Sequence, residues 1–165
     1  MIVVVNQVPL PVAEQAPGVR PPGSSAYEGR TLDTLTNTAR LPLVQVGNYG
    51  ITGGVQLANY TQLTNAANPV KATIRFGPNT APVPKPGDED QTPPCPQPAD
   101  IPVTFTSYLE SMTYLLPSPE APGFDGCRYI GSVELTSGRS DAKLSAMANQ
   151  VMPSGTDRLL TYAAR

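Results

Sequence analysis

Val70-Lys71-Ala72-Thr73-Ile74-Arg75-Phe76 alternates without a break, with Ala72, Ile74 and Phe76 on one side of an extended chain and Lys71, Thr73 and Arg75 on the other. Successive side chains of a strand point to opposite faces, so a period of two predicts a strand with one face on a core and one in solvent.

Toward the C-terminus, Gly77 opens a segment with Pro at 78, 82, 84, 86, 93, 94, 96, 98 and 102 and the acidic triplet Asp88-Glu89-Asp90 at its middle. Proline removes backbone donors, so this run cannot pair in a central sheet. It reads as a semi-rigid, polyproline-like excursion spanning 77–100. A loop this long and stiff loses little entropy on docking, which predicts an ordered contact loop. The alternation resumes at Ile101 to Leu109, with Ile101, Val103 and Phe105 facing one way and Thr104, Thr106 and Tyr108 the other. Ser111 to Leu116 continues as a hairpin arm. A Pro/Gly loop follows, then a strand from Arg128 to Leu135 with Ile130 as its leading core candidate.

Toward the N-terminus, Val55-Gln56-Leu57-Ala58-Asn59-Tyr60 alternates after Gly53-Gly54, and Leu43 to Val46 forms a shorter strand. Residues 1–29 read as a Pro-rich arm: Ile2 to Val5 suits a short strand, and the five prolines between Val8 and Gly29 keep the remainder extended. Residues 30–165 form one β-rich domain.

At the C-terminal end the period changes. Ser140 is a good N-cap with Asp141 in the first turn, and Leu144, Met147, Ala148 and Val151 recur at helical spacing. Pro153 and Gly155 stop that helix, and Thr156 caps a second over 157–164. The expected class is α+β: a mainly antiparallel sheet with Pro-rich loops and two short C-terminal helices within 140–164.

The composition narrows the function. The chain has 165 residues, of which 20 are Pro and none is His, with 11 Lys+Arg against 13 Asp+Glu. Without His, the Ser-His-Asp triad, the Cys-His pair and His-based zinc sites are excluded. No catalytic motif replaces them, so the expectation is a non-enzyme without cofactor or metal. A hydrophobic fraction of 39% suits a modest core that completes its burial against other copies. The opening apolar run is too short and lacks the basic residues of a signal peptide, and no segment is long enough to span a membrane. Cys95 and Cys127 are read as free or facultatively paired.

Asp88, Glu89 and Asp90 offer carboxylates to a hard cation but lack EF-hand spacing, which makes them a solvated loop apex. Glu110, Asp125 and Glu134 could supply a glycosidase pair, yet nothing sets their separation. The glycines at 47, 50, 53 and 54 match no phosphate-binding pattern and read as turns. The sequon Asn59-Tyr60-Thr61 carries little weight without a secretory signal. If the Val70 and Ile101 strands are antiparallel neighbours, Lys71, Thr73, Arg75, Thr104 and Thr106 form a surface able to meet phosphates. An acidic chain opposes that use.

The strand Val70–Phe76, the long loop containing Cys95, the strand from Ile101 to Leu109 and the helical tail from Ser140-Asp141-Ala142-Lys143-Leu144 together resemble the coat proteins of single-stranded RNA bacteriophages. In that family an antiparallel sheet is followed by two helices that interlock with a second subunit, and one sheet face contacts RNA. The resemblance implies RNA-facing positions at Lys71, Thr73, Arg75, Thr104 and Thr106, and an assembly loop including Asp88, Glu89, Asp90 and Cys95. The greater length, the N-terminal arm and the extra strand before the tail depart from the family.

The expected function is therefore a virion structural protein: a capsid coat subunit that self-assembles into a phage shell and contacts RNA with one sheet face. Its partners would be copies of itself or other capsid subunits and viral RNA, with no membrane and no small-molecule substrate. It would be made in the host cytoplasm and found in the virion. The competing reading is a decoration or minor structural protein of a double-stranded DNA phage or large virus, with no nucleic-acid contact.

Overall fold

Ten strands carry the fold in the computed structural model, which describes residues 2–4, 28–30, 35–116, 123–151 and 159–163. β1 (Ile2–Val4) pairs antiparallel with β2 (Glu28–Arg30), so the two ends of the Pro-rich arm meet. The remaining strands are β3 (Thr38–Val46), β4 (Thr52–Asn59), β5 (Val70–Phe76), β6 (Ile101–Phe105), β7 (Ser111–Leu116), β8 (Tyr129–Ser137), β9 (Leu144–Val151) and β10 (Leu159–Ala163). They form two four-stranded sheets in the orders β3-β8-β5-β6 and β10-β9-β4-β7, with every pairing antiparallel.

The two sheets share one core. Leu41, Val44, Ile74, Phe105, Val133 and Leu135 come from the first sheet and Val55, Leu57, Leu116, Leu144 and Ala148 from the second, all in one buried cluster. Burial alternates along β5, with Val70, Ala72, Ile74 and Phe76 buried and Lys71 and Arg75 exposed. On β8 the core positions are Tyr129, Val133 and Leu135. Ile130 is only half-buried, one residue out of phase with the core face.

Among the described residues, strands stand where the two C-terminal helices were expected. The stretch from Leu144 to Val151 is β9, which lies between β4 and β10, and residues 159–163 form β10 instead of a second helix. Leu144, Ala146, Ala148 and Gln150 are buried and Ser145, Met147 and Asn149 half-buried, a period of two. Alanine is compatible with either period, so the helical spacing of Leu144, Met147, Ala148 and Val151 competed with this one. Pairing on both edges decides it, because the two ladders satisfy the backbone as well as a helix would and also bury the alternate side chains against neighbours. The small Ala146 and Ala148 sit opposite Leu57 and Val55. The presumed N-cap is a tight turn, in which Asp141 accepts both Nε (2.8 Å) and Nη2 (2.7 Å) of Arg139. The proposed helix-stopping and capping residues 153, 155 and 156 lie outside the described residues, as does most of the N-terminal arm.

The Pro-rich segment does not project from the sandwich. The Asn79 side chain stitches it down, with Nδ2 donating to the carbonyls of Cys95 and Arg128 (both 3.0 Å) and Oδ1 accepting from the Ile130 and Ala81 amides. The Cys95 amide donates to the Arg128 carbonyl and the Arg128 amide to Pro93, forming a parallel bridge at Pro94. Cys95 and Cys127 form a disulfide with Cα atoms 4.9 Å apart. In the same buried cluster, Phe76, Phe124 and Tyr129 stack edge-to-face with centroids 5.0–5.9 Å apart. The Tyr129 hydroxyl lies 2.9 Å from the Gly77 carbonyl, and burial raises its pKa to about 12.

Candidate functional site

Three places combine exposure with specific chemistry: the outer face of β5 and β6, the acidic part of the Pro-rich segment, and a pair of turns at one end of the sandwich.

On the outer face, Lys71 pairs with Thr104, and Thr73 lies between Pro102 on β6 and Thr136 on β8. Together with Arg75 these side chains line an open depression of about 460 Å³. The structure thus brings together Lys71, Thr73, Arg75 and Thr104 of the five residues expected there, and adds Thr136, which a period-two reading of β8 would have placed on the same face. Thr106 lies past the end of β6 and faces Glu110, where its hydroxyl is 3.3 Å from the carboxylate.

The charges of this face are mostly cancelled. Arg75 donates to Asp100 at 3.1 Å, and Arg40 on β3 pairs with Glu134 on β8, which is also opposite Arg75. Among the described residues Lys71 is the cation of this face without an ion pair. A phosphate-binding surface depends on uncompensated cations that displace counterions, and here one remains.

The acidic triplet is divided by burial. Asp88 and Glu89 are exposed, and Asp88 accepts the Lys85 amide at 2.6 Å to close a turn. Asp90 is buried rather than part of a solvated apex: it accepts the amides of Tyr49 (2.8 Å) and Thr92 (2.9 Å) and faces Arg128 Nη1 at 3.6 Å. The Tyr49 amide foremost, then the hydroxyl and amide of Thr92 and the Arg128 charge, hold its carboxyl down at about 2. Arg128 also donates through Nη2 to the Pro82 carbonyl. Gly47, at φ +80°, lies so close to the Cys127 carbonyl that a side chain would collide with it, so this glycine serves packing. Cys95 is the disulfide partner of Cys127, which makes it structural.

At the end of the sandwich where β4 and β6 finish, Asn59 is fully buried and organises two turns. Its Nδ2 donates to Thr64 Oγ1 (3.1 Å) and the Ser107 carbonyl (2.9 Å), while its Oδ1 accepts the Thr61 amide (3.0 Å). Its backbone exchanges hydrogen bonds with Glu110 and Leu109. The sequon asparagine is thus a structural brace. Each turn presents a leucine in left-handed backbone: Leu63 at φ +61° with 82% exposure and Leu109 at φ +64° with 57%. Tyr108 is exposed beside Leu109 and interacts with Tyr60, whose pKa is raised, chiefly by burial. The Glu110 carboxylate closes the second turn. The Thr106 amide, then the Ser107 amide and both hydroxyls, lower its pKa.

The three carboxylates weighed for hydrolysis have separate settings: Glu110 closes this turn, Glu134 pairs with Arg40 on the sheet face, and Asp125 is exposed in the turn before Cys127. Among the described residues no group of three or more Cys, Asp or Glu side chains could hold a metal. Sequence reading missed Asn59, Arg128 and the turn leucines. The Asn-x-Thr spacing is compatible with a side-chain turn, but nothing in the sequence marks Arg128 as buried.

The chain matches no family model, no curated protein and no solved structure in comparisons with known proteins.

Proposed function

We propose that this chain is a virion structural subunit of the decoration kind: a rigid β-sandwich that attaches to protein neighbours and does not package nucleic acid. The observation that carries the reading is the pair of exposed leucines at 63 and 109. A left-handed leucine costs about 1–2 kcal/mol, and a bare leucine on a turn tip gains nothing in the isolated subunit. Two such residues on adjoining turns, held by one buried asparagine, form a small preorganised apolar contact surface.

Two further observations favour decoration over an RNA-binding coat. The β5–β6 face has most of its charge neutralised within the fold, and the interlocking helical tail that carried the coat resemblance is a pair of strands. The disulfide supports a working life on an oxidised particle exterior, since such bonds persist outside the reducing cytosol.

Light scattering after size-exclusion chromatography, with absorbance read at 260 and 280 nm, tests the reading. A small oligomer free of nucleic acid is expected. A megadalton particle with a nucleic-acid-like absorbance ratio would overturn it in favour of the coat. On particles of the encoding virus stripped of this subunit, the wild-type chain should rebind and the Leu63→Ser/Leu109→Ser variant should bind at least tenfold more weakly.

A further inference from the structure

The sandwich leaves sheet edges, and natural proteins protect such edges because unpaired N–H and C=O groups template pairing with another chain. Two of the edges are protected. β6 carries Pro102, and β3 carries Arg40, Pro42 and a register break between Leu41 and Val44. β7 has none of these devices. It reads Ser-Met-Thr-Tyr-Leu-Leu, without proline or charge, and runs in unbroken register with β4 from Ser111 to Leu116.

The register identifies which backbone groups point outward. The Asn59 amide donates to the Glu110 carbonyl at 2.9 Å, making Asn59 and Glu110 a hydrogen-bonded pair at the start of the β4–β7 ladder. Antiparallel ladders alternate hydrogen-bonded and non-hydrogen-bonded pairs, so the bonded pairs that follow are Leu57 with Met112, Val55 with Tyr114 and Gly53 with Leu116. Ser111, Thr113 and Leu115 therefore direct their N–H and C=O groups away from β4. Their side chains are the exposed set of the strand, Leu115 at 61%.

We infer that β7 pairs antiparallel with β7 of a second copy across a twofold axis through Thr113, joining two four-stranded sheets into one of eight strands. Three features favour a second copy as the occupant. The outward-facing positions are odd in number and evenly spaced, so a twofold at the middle one places Thr113 opposite Thr113 and Ser111 opposite Leu115, satisfying the outward donors and acceptors of all three. The strand carries no charge that would repel its own copy. Each exposed Leu115 then comes to lie beside the other strand, and the contact closes on itself as twofold interfaces do. This inference is independent of the decoration reading, since such a dimer could serve a coat or a decoration subunit.

The test uses the full-length chain. Light scattering should give twice the 17.4 kDa chain mass, and Thr113→Pro, which removes an outward donor while sparing the β4 ladder, should give a single chain mass with an unchanged far-ultraviolet spectrum. Amide exchange supplies the second measurement, valid even if that variant fails to fold or the chain forms a larger assembly. The Ser111, Thr113 and Leu115 amides should be protected at high concentration and lose protection on dilution. A monomeric wild type, a dimer in which these amides exchange freely, or a folded Thr113→Pro dimer would overturn the inference. Protection of the same amides in a monomer would assign the edge to another part of this chain and overturn it equally.

Discussion

Asp90 and Asn59 each hold a turn against the body of the protein, by different chemistry. The Asp90 carboxyl is ionised down to about 2, well below its ordinary 3.8, because the Tyr49 and Thr92 amides, the Thr92 hydroxyl and Arg128 all favour the charged form. A depressed folded pKa contributes stability that is fully present above the unfolded value and is lost as pH falls through the folded one. Asp90→Asn should therefore lower the melting temperature at neutral pH, and its gap from wild type should narrow from about pH 4 to about pH 2. A gap that stays constant over that range would contradict the assignment. Asn59 is neutral and buried, and its side chain serves two carbonyl or hydroxyl acceptors and one amide donor. Asn59→Ala strands those groups in the interior and should cost about 2–4 kcal/mol by denaturant titration. Leu63→Gly should move stability the other way, by about 0.5–1 kcal/mol, because glycine enters the left-handed region freely.

Among the elements, the Pro-rich segment is the least regular, and its fixation is the most specific to this chain. Eight prolines from 78 to 98 keep the segment out of the sheets, so beside a few backbone bonds its order depends on side chains: Asn79, Gln97, Asp90 and the Cys95–Cys127 disulfide. The disulfide closes a loop with a sequence separation of 32. Replacing both cysteines by alanine should cost about 2–4 kcal/mol. Amide exchange should rise at Thr80 and Cys95, whose donors seal the segment to Ile130 and Arg128, while β4 and β9 change little. A uniform rise over both sheets would show that the segment is not a separate layer of stability. The element misread as a helix gives the complementary lesson. β9 has alanines where a more decisive strand would carry valine, and its period was ambiguous until β4 and β10 were set on either side.

At the scale of the whole molecule, both sheets contribute to one apolar cluster, so neither can lose its packing alone. The sandwich should melt in a single cooperative transition, with calorimetric and van't Hoff enthalpies in agreement; two resolved transitions would contradict the shared core. Its pairings are non-local, β3 with β8 and β4 with β9, so refolding should take milliseconds to seconds rather than microseconds. The sequence by itself determined that β5 and β6 are half-buried strands and which face of each meets the core, because a period of two is a local property carried by residues such as Ile74, Phe76, Val103 and Phe105. It also determined the absence of His chemistry and the exclusion of the Pro-rich run from the sheets. Only the tertiary structure decided that the C-terminal segment is strand, that Cys95 meets Cys127, that Asp90 is buried against Arg128 and that β7 is a sheet edge. Each of these depends on partners distant in sequence, and the free energy of a hydrogen bond, an ion pair or an edge is fixed by what lies across from it, which no local pattern records.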